Sequence, residues 1–246
     1  MAVEGYIGWH GQGKTYCAID AALTQLDKGV TLVTNVIVHG HRDVGEWLES
    51  GELAPPRVLH FETWDGLMLV LEAAIERRLR LQLLIDEAGK FLSSRFYTKL
   101  DPRVLTVLQE RRKIGAGLDL VWTAPHFDHV DKLLRDVTQV VHVSKRWGGS
   151  EYSHDGGKPP RGFSVRSWRP HELGRPKCKP FRRNLVPFVP EVASLYTTGI
   201  VSMATPIAAA VDKRPTLREA SPVEQPAPPP AVVLVPTGRR GGRRSG

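Results

Sequence analysis

Gly8-Trp9-His10-Gly11-Gln12-Gly13-Lys14-Thr15 is the stretch on which the fold turns, because it has the G-x-x-x-x-G-K-[ST] spacing of a phosphate-binding loop. Glycines at 8, 11 and 13 let the backbone turn tightly, so that successive amide N–H groups face phosphates beside a helix N-terminus. Lys14 is placed to bring its ammonium to the β- and γ-phosphates of ATP, and Thr15 to offer its hydroxyl to Mg²⁺. The expected nucleotide contacts run through Gly8, Trp9, His10, Gly11, Gln12, Gly13, Lys14, Thr15 and Tyr16. His10 is equally explained as a variable loop position. The motif has meaning only between a strand and a helix. Residues 3–7 read as a short strand, and residues 14–26 as a helix with apolar Cys17, Ala18, Ala21, Ala22 and Leu26. Gly29 suits the end of that helix, and residues 30–36 form a β-rich run.

Working outward, residues 65–81 read as a helix feeding the apolar strand Leu81-Gln82-Leu83-Leu84-Ile85, which ends in Asp86-Glu87. A carboxylate at such a strand end emerges where doubly wound sheets bind ligands, so Asp86 is the expected Mg²⁺ partner alongside Thr15. Glu87 beside it is suited to activate a water against the γ-phosphate. Residues 118–123 form another strand candidate, and Thr123 at its end is a candidate polar sensor of that phosphate. A short strand over 58–61, an irregular connection around a short helix over 40–57, a helix running from Pro102 to Arg111-Arg112-Lys113, a short helix over 128–135 and a strand over 138–143 complete the pattern. This alternation over about 140 residues predicts an α/β fold of the P-loop NTPase kind (RecA/ASCE-like), a mostly parallel sheet flanked by helices.

Charge is uneven along the chain. Residues 1–144 carry 16 basic and 19 acidic side chains, residues 145–183 carry 11 and 3, and residues 184–246 carry 7 and 4. The basic excess therefore lies downstream of the catalytic pattern, as expected of a polyanion binder, although a solvated basic loop has the same footprint. Trp147, Tyr152, Phe163 and Trp168 interleave there with Lys145, Arg146, Lys158, Arg161, Arg166 and Arg169. That mixture suits nucleic-acid stacking, and it suits the core of a small charged β hairpin slightly better. Cys17 and Cys178 are too far apart in sequence to suggest a local metal motif, and a reducing compartment fits them. His126, Asp128, His129 and Asp131 imitate a metal cluster but are better explained by a loop and a helix start.

With these residues assembled, the chain resembles the FtsK/HerA branch of P-loop ATPases, and within it the zonular occludens toxin-like and phage DNA-packaging ATPases. The resemblance rests on Gly8 to Thr15, on Leu84-Ile85-Asp86-Glu87-Ala88, and on residues 109–115 leading into the strand at 118–123; Ala193-Ser194-Leu195-Tyr196-Thr197-Thr198 adds a short echo. It implies a homo-oligomeric ring, usually a hexamer, that hydrolyses ATP at subunit interfaces and drives DNA. It also implies an arginine reaching the γ-phosphate from the neighbouring subunit, with Arg112 the first candidate and Arg111 the second. A helix C-terminus decorated with cations explains the same pair. Relatives often carry glutamine after the sensor threonine, where this chain has Ala124-Pro125. Filamentous-phage relatives usually carry a membrane span, and no apolar run of the necessary length is seen here.

The expected organisation is an ATPase domain over 1–144, a basic β-rich extension over 145–202 that takes DNA through 145–183, and a disordered Pro/Ala- and Arg-rich tail over 203–246. The expected function is an ATP-hydrolysing DNA translocase, a virion packaging or phage-assembly motor. It would work in the cytoplasm, that of the host if phage-encoded, or at the membrane periphery or virion with an assembly partner. The alternative is a membrane-associated assembly or secretion switch that uses ATP without acting on DNA, and a small-molecule phosphotransferase shares the loop.

Overall fold

The computed structural model describes residues 2–92, 117–149 and 159–197. Nine strands form one sheet in the order β10-β9-β8-β1-β7-β6-β2-β5-β4. Their ranges are β1 Val3–Ile7, β2 Thr31–Thr34, β4 Arg42–Asp43, β5 Val58–His60, β6 Leu81–Ile85, β7 Leu118–Ala124, β8 Val140–Trp147, β9 Gly162–Trp168 and β10 Arg182–Pro187. The seven strands from β8 to β4 are parallel, β9 pairs antiparallel with β8, and β10 pairs antiparallel with β9. A separate pair joins β3 Ile37–Val38 to β11 Tyr196–Thr197. The helices are α1 Lys14–Leu26, α2 Val44–Glu49, α3 Trp64–Arg77, α4 Ala88–Phe91, α5 Lys132–Val137 and α6 Pro190–Ser194.

Side chains alternate across the sheet and build a core on each face. Val33, Leu83, Ile85, Leu120 and Trp122 join Trp47 of α2, Leu67 and Leu71 of α3 and Leu134 of α5. Tyr6, Leu32, Leu84 and Val121 face the other way onto Tyr16, Ile19 and Ala22 of α1. Helices thus cover both faces, as a parallel sheet needs. Trp122 is fully buried because Gly5, its partner on β1, has no side chain; a Cβ there would lie 2.2 Å from the indole. The indole N–H donates to Thr138 Oγ1 at 3.1 Å.

The expected strand at 3–7 and helix at 14–26 match the observed elements, and the other elements shift at their ends for local reasons. The helix expected over 65–81 stops at Arg77, since Arg78 turns left-handed at φ 54°. The strand expected over 30–36 ends at Thr34, whose hydroxyl accepts from the Val36 N–H at 3.1 Å. The helix expected over 128–135 is a 3₁₀ turn at Phe127–His129 followed by α5, capped by Asp131 Oδ1 accepting from the Leu133 N–H at 2.8 Å. The strand expected over 138–143 starts two residues later, at Val140, and runs on to Trp147, because β9 pairs with it from Val141 to Trp147. The expected helix from Pro102, with Arg111 and Arg112, lies outside the described residues, as do Tyr152 and the tail. No helix among the described residues is long and apolar enough to cross a membrane.

Candidate nucleotide site

The parallel strands all end at one edge, and β7 lies between β1 and β6. This order sets the end of the phosphate loop strand, Thr123 and Asp86 side by side. Beyond Ile7 the chain turns through Gly8 and Gly13, at φ 151° and 80°. Gly13 admits no side chain on two counts: its conformation is left-handed, and a Cβ would lie 2.2 Å from the Phe163 ring. Helix α1 begins directly after it.

Asp86 is the hub. Its Oδ1 accepts from Thr15 Oγ1 at 2.7 Å and from Thr123 Oγ1 at 2.6 Å. Thr123 Oγ1 in turn accepts the Glu87 N–H at 3.0 Å. Burial pushes the Asp86 carboxyl above the usual carboxylate range, against the two hydroxyl hydrogen bonds and the nearby Lys14, which favour its charge. Lys14 is itself buried, and its Nζ lies 3.4 Å from the Trp9 carbonyl oxygen. Burial lowers its pKa, while Asp86 and Glu87 pull it back up. Glu87 adopts a left-handed φ of 53°, a conformation that costs an ordinary residue about 1–2 kcal/mol, and its carboxylate pairs with Lys90.

The structure therefore brings together Lys14, Thr15, Asp86, Glu87 and Thr123. The remaining residues of the expected nucleotide set are placed differently. Trp9 and His10 are exposed on the loop, and the Trp9 ring meets the edge of His126 at 4.7 Å. Gln12 turns its Oε1 to the Arg146 N–H of β8 at 2.9 Å. Tyr16 is buried in α1; its hydroxyl donates to the Pro187 carbonyl at 3.1 Å and accepts from the Val189 N–H at 2.8 Å. Its side chain is thereby committed to packing.

Asn35 escaped the sequence reading. Its side chain donates to the Asp86 carbonyl at 3.1 Å and accepts the Asp86 N–H at 2.8 Å, fixing the carboxylate from behind. Its only signal is a polar residue just past a buried strand. Phe163 over Gly13 gave no signal, since the two are distant in sequence. Around the basic flank, Phe163 is buried, Trp168 half-buried and Trp147 exposed.

A hydroxyl and a carboxylate oxygen 2.7 Å apart are hard donors of the kind Mg²⁺ takes, so Thr15 and Asp86 fit such an ion. The fold is that of P-loop NTPases. It is similar to the genome packaging NTPase B204 of Sulfolobus turreted icosahedral virus 2, solved in complex with ATP-gammaS, at 10% identity over 76% of this chain and 98% of that one, with a TM-score of 0.50. The N-terminal domain of zonular occludens toxin from Neisseria meningitidis is a looser likeness, at 12% identity over 80% and 98%, with a TM-score of 0.44. At 10% identity the likeness to the packaging NTPase speaks for the fold alone. No curated protein sequence matches the chain. The model of the zonular occludens toxin (Zot) family matches residues 3–151, more than half of the 246 residues, and the chain belongs to that family.

Proposed function

We propose that this chain is a phage packaging or assembly ATPase whose nucleotide turnover moves DNA. The observation that carries this is Asp86 Oδ1, shared by the hydroxyl of the phosphate loop and that of the neighbouring strand, with Glu87 and Lys14 beside it. In this reading the loop amides and Lys14 bind the ATP phosphates. Thr15 and Asp86 would hold Mg²⁺, which would supply charge neutralisation to the phosphates. Glu87 takes the proton of a water whose oxygen bonds to the γ-phosphorus as the bond to the β-phosphate oxygen breaks, leaving ADP and phosphate. Thr123 keeps Asp86 and the Glu87 backbone in register.

The cargo assignment is supported by the likeness in fold to a viral genome packaging NTPase, and by the basic flank. Arg166, Arg182 and Arg183 are exposed on β9 and β10, within the basic segment 145–183. A ring, with six subunits the first expectation, would supply Arg112 or else Arg111 from a neighbour to the γ-phosphate. Such a motor would work in the host cytoplasm or on the assembling virion.

The test is steady-state ATP hydrolysis with and without DNA. Expected is Mg²⁺-dependent turnover that DNA stimulates and that Lys14→Ala reduces by at least about 10²-fold. Absence of turnover in both conditions, or a Lys14→Ala variant as active as wild type, would overturn the ATPase. Turnover that ignores DNA would overturn the translocase and point to an assembly switch.

A further inference from the structure

Three side chains outside the nucleotide site converge at the far edge of the sheet. Strands β4 and β5 pair with Asp43 opposite His60, and His41 lies two residues before Asp43, on the same side of the chain. Asp43 Oδ1 is 3.3 Å from His60 Nδ1 and 3.6 Å from His41 Nε2. The three ligand atoms all lie within 4.8 Å of one another. A tetrahedral centre with nitrogen and oxygen ligands at its usual bond lengths separates them by about 3.3 Å.

Several details bear on what that arrangement does. Asp43 occupies the N-cap position of α2, where aspartate normally accepts a backbone N–H, yet it makes no capping bond. Its carboxylate is turned to the two imidazoles instead. His41 Nδ1 lies 2.7 Å from the Val38 carbonyl oxygen, a contact that requires the proton on Nδ1. In the neutral ring, Nε2 is then a bare lone pair facing a carboxylate oxygen at a distance too long for a hydrogen bond. Two acceptors so placed call for a cation between them. A carbonyl holding the distal N–H is also how ligating histidines are commonly oriented. His60 is 2% exposed; its Nδ1 donates to Asp43 Oδ1 at 3.3 Å, while its Nε2 has no hydrogen-bond partner among the described residues, so an ion entering between Nδ1 and the carboxylate replaces that one hydrogen bond and the imidazole then carries its proton on Nε2.

We propose that His41, Asp43 and His60 form a site for a divalent transition metal of the zinc class, bound by two imidazole nitrogens and one carboxylate with an open fourth position. Two imidazoles and a single carboxylate suit zinc rather than Mg²⁺, which prefers an all-oxygen octahedron. Bound there, the ion ties β4 to β5 and closes the connection that carries α2.

The test uses the full chain without a histidine tag, titrated with Co²⁺ in excess Mg²⁺ so that hard-oxygen sites are filled. Expected is one equivalent of Co²⁺ with the intense d–d absorption of a tetrahedral site, displaced by Zn²⁺, and a Zn²⁺-dependent rise in Tm of about 5 °C at a hundredfold excess over Kd. Because His60→Ala removes a buried ring and risks misfolding, the diagnostic variants are the more exposed His41→Ala and Asp43→Asn. Each should lower Co²⁺ affinity at least about tenfold with an unchanged far-UV spectrum. His126→Ala/His129→Ala, which removes another neighbouring imidazole pair, should leave the absorption intact. No tetrahedral spectrum in the wild type, its persistence in both His41→Ala and Asp43→Asn, or its loss in the His126/His129 variant would overturn the proposal.

Discussion

Between β1, β7 and β6 the buried polar side chains turn to one another, whereas across β8, β9 and β10 Val141, Phe163 and Val165 are buried and Arg166, Arg182 and Arg183 stand outside. Thr15, Asp86 and Thr123 form the first arrangement, with Asn35 behind it. Phe163, packed against Tyr16 at 5.0 Å and over Gly13, typifies the second. The flank is nonetheless fastened to the phosphate loop at three places: Gln12 to the Arg146 amide, Phe163 to Gly13, and the Tyr16 hydroxyl to the chain at 187–189. The difference teaches a division of labour. The centre fixes charges where nucleotide chemistry needs them, and the flank braces the loop while presenting a basic face.

That division can be broken most severely at Phe163. Phe163→Ala should cost about 3–5 kcal/mol of stability in denaturant unfolding and weaken ATP binding with it. If its midpoint matches wild type, the flank is an ornament and not a brace. A smaller loss, about 2 kcal/mol, is expected for Asn35→Ala, which strips both partners from the Asp86 backbone. Here kcat should fall more than the stability change alone explains, because the carboxylate loses its rear support; equal kcat would separate Asn35 from the site.

The smallest stability effect belongs to Asp86→Asn. Burial raises the Asp86 pKa, so the folded chain keeps that proton to higher pH than the unfolded chain does. Ionisation of Asp86 therefore opposes folding as pH rises from the usual carboxylate range through the raised value. Asp86→Asn should be no less stable than wild type at neutral pH, with any advantage shrinking toward acid pH, while losing Mg²⁺-dependent turnover. A variant that melts well below wild type at neutral pH would show the carboxylate to be a structural support.

The centre was legible in the sequence because its signals are local. A continuous apolar run ending in Asp86-Glu87, and glycines at fixed spacing before Lys14, each report one strand end or one turn. What was missed depends on pairs remote in sequence. Asn35 meets Asp86, Gln12 meets Arg146 and Phe163 meets Gly13 only once the strand order is set. The end of α3 was overrun because Arg78, not a glycine, takes the left-handed turn. Strands as short as β4 leave no periodicity to detect, which hid the pairing of Asp43 with His60.

The most direct measurement compares wild type with Glu87→Gln in ATP binding and ATP hydrolysis on the full chain with Mg²⁺. The Glu87 side chain is half-buried and its carboxylate pairs with Lys90, while only its backbone N–H reaches the buried Thr123 hydroxyl, a bond that the substitution keeps. Glu87→Gln is expected to bind ATP with little change and to hydrolyse it about 10²–10⁴-fold more slowly. Hydrolysis by Glu87→Gln at the wild-type rate would contradict the role of Glu87 as the base.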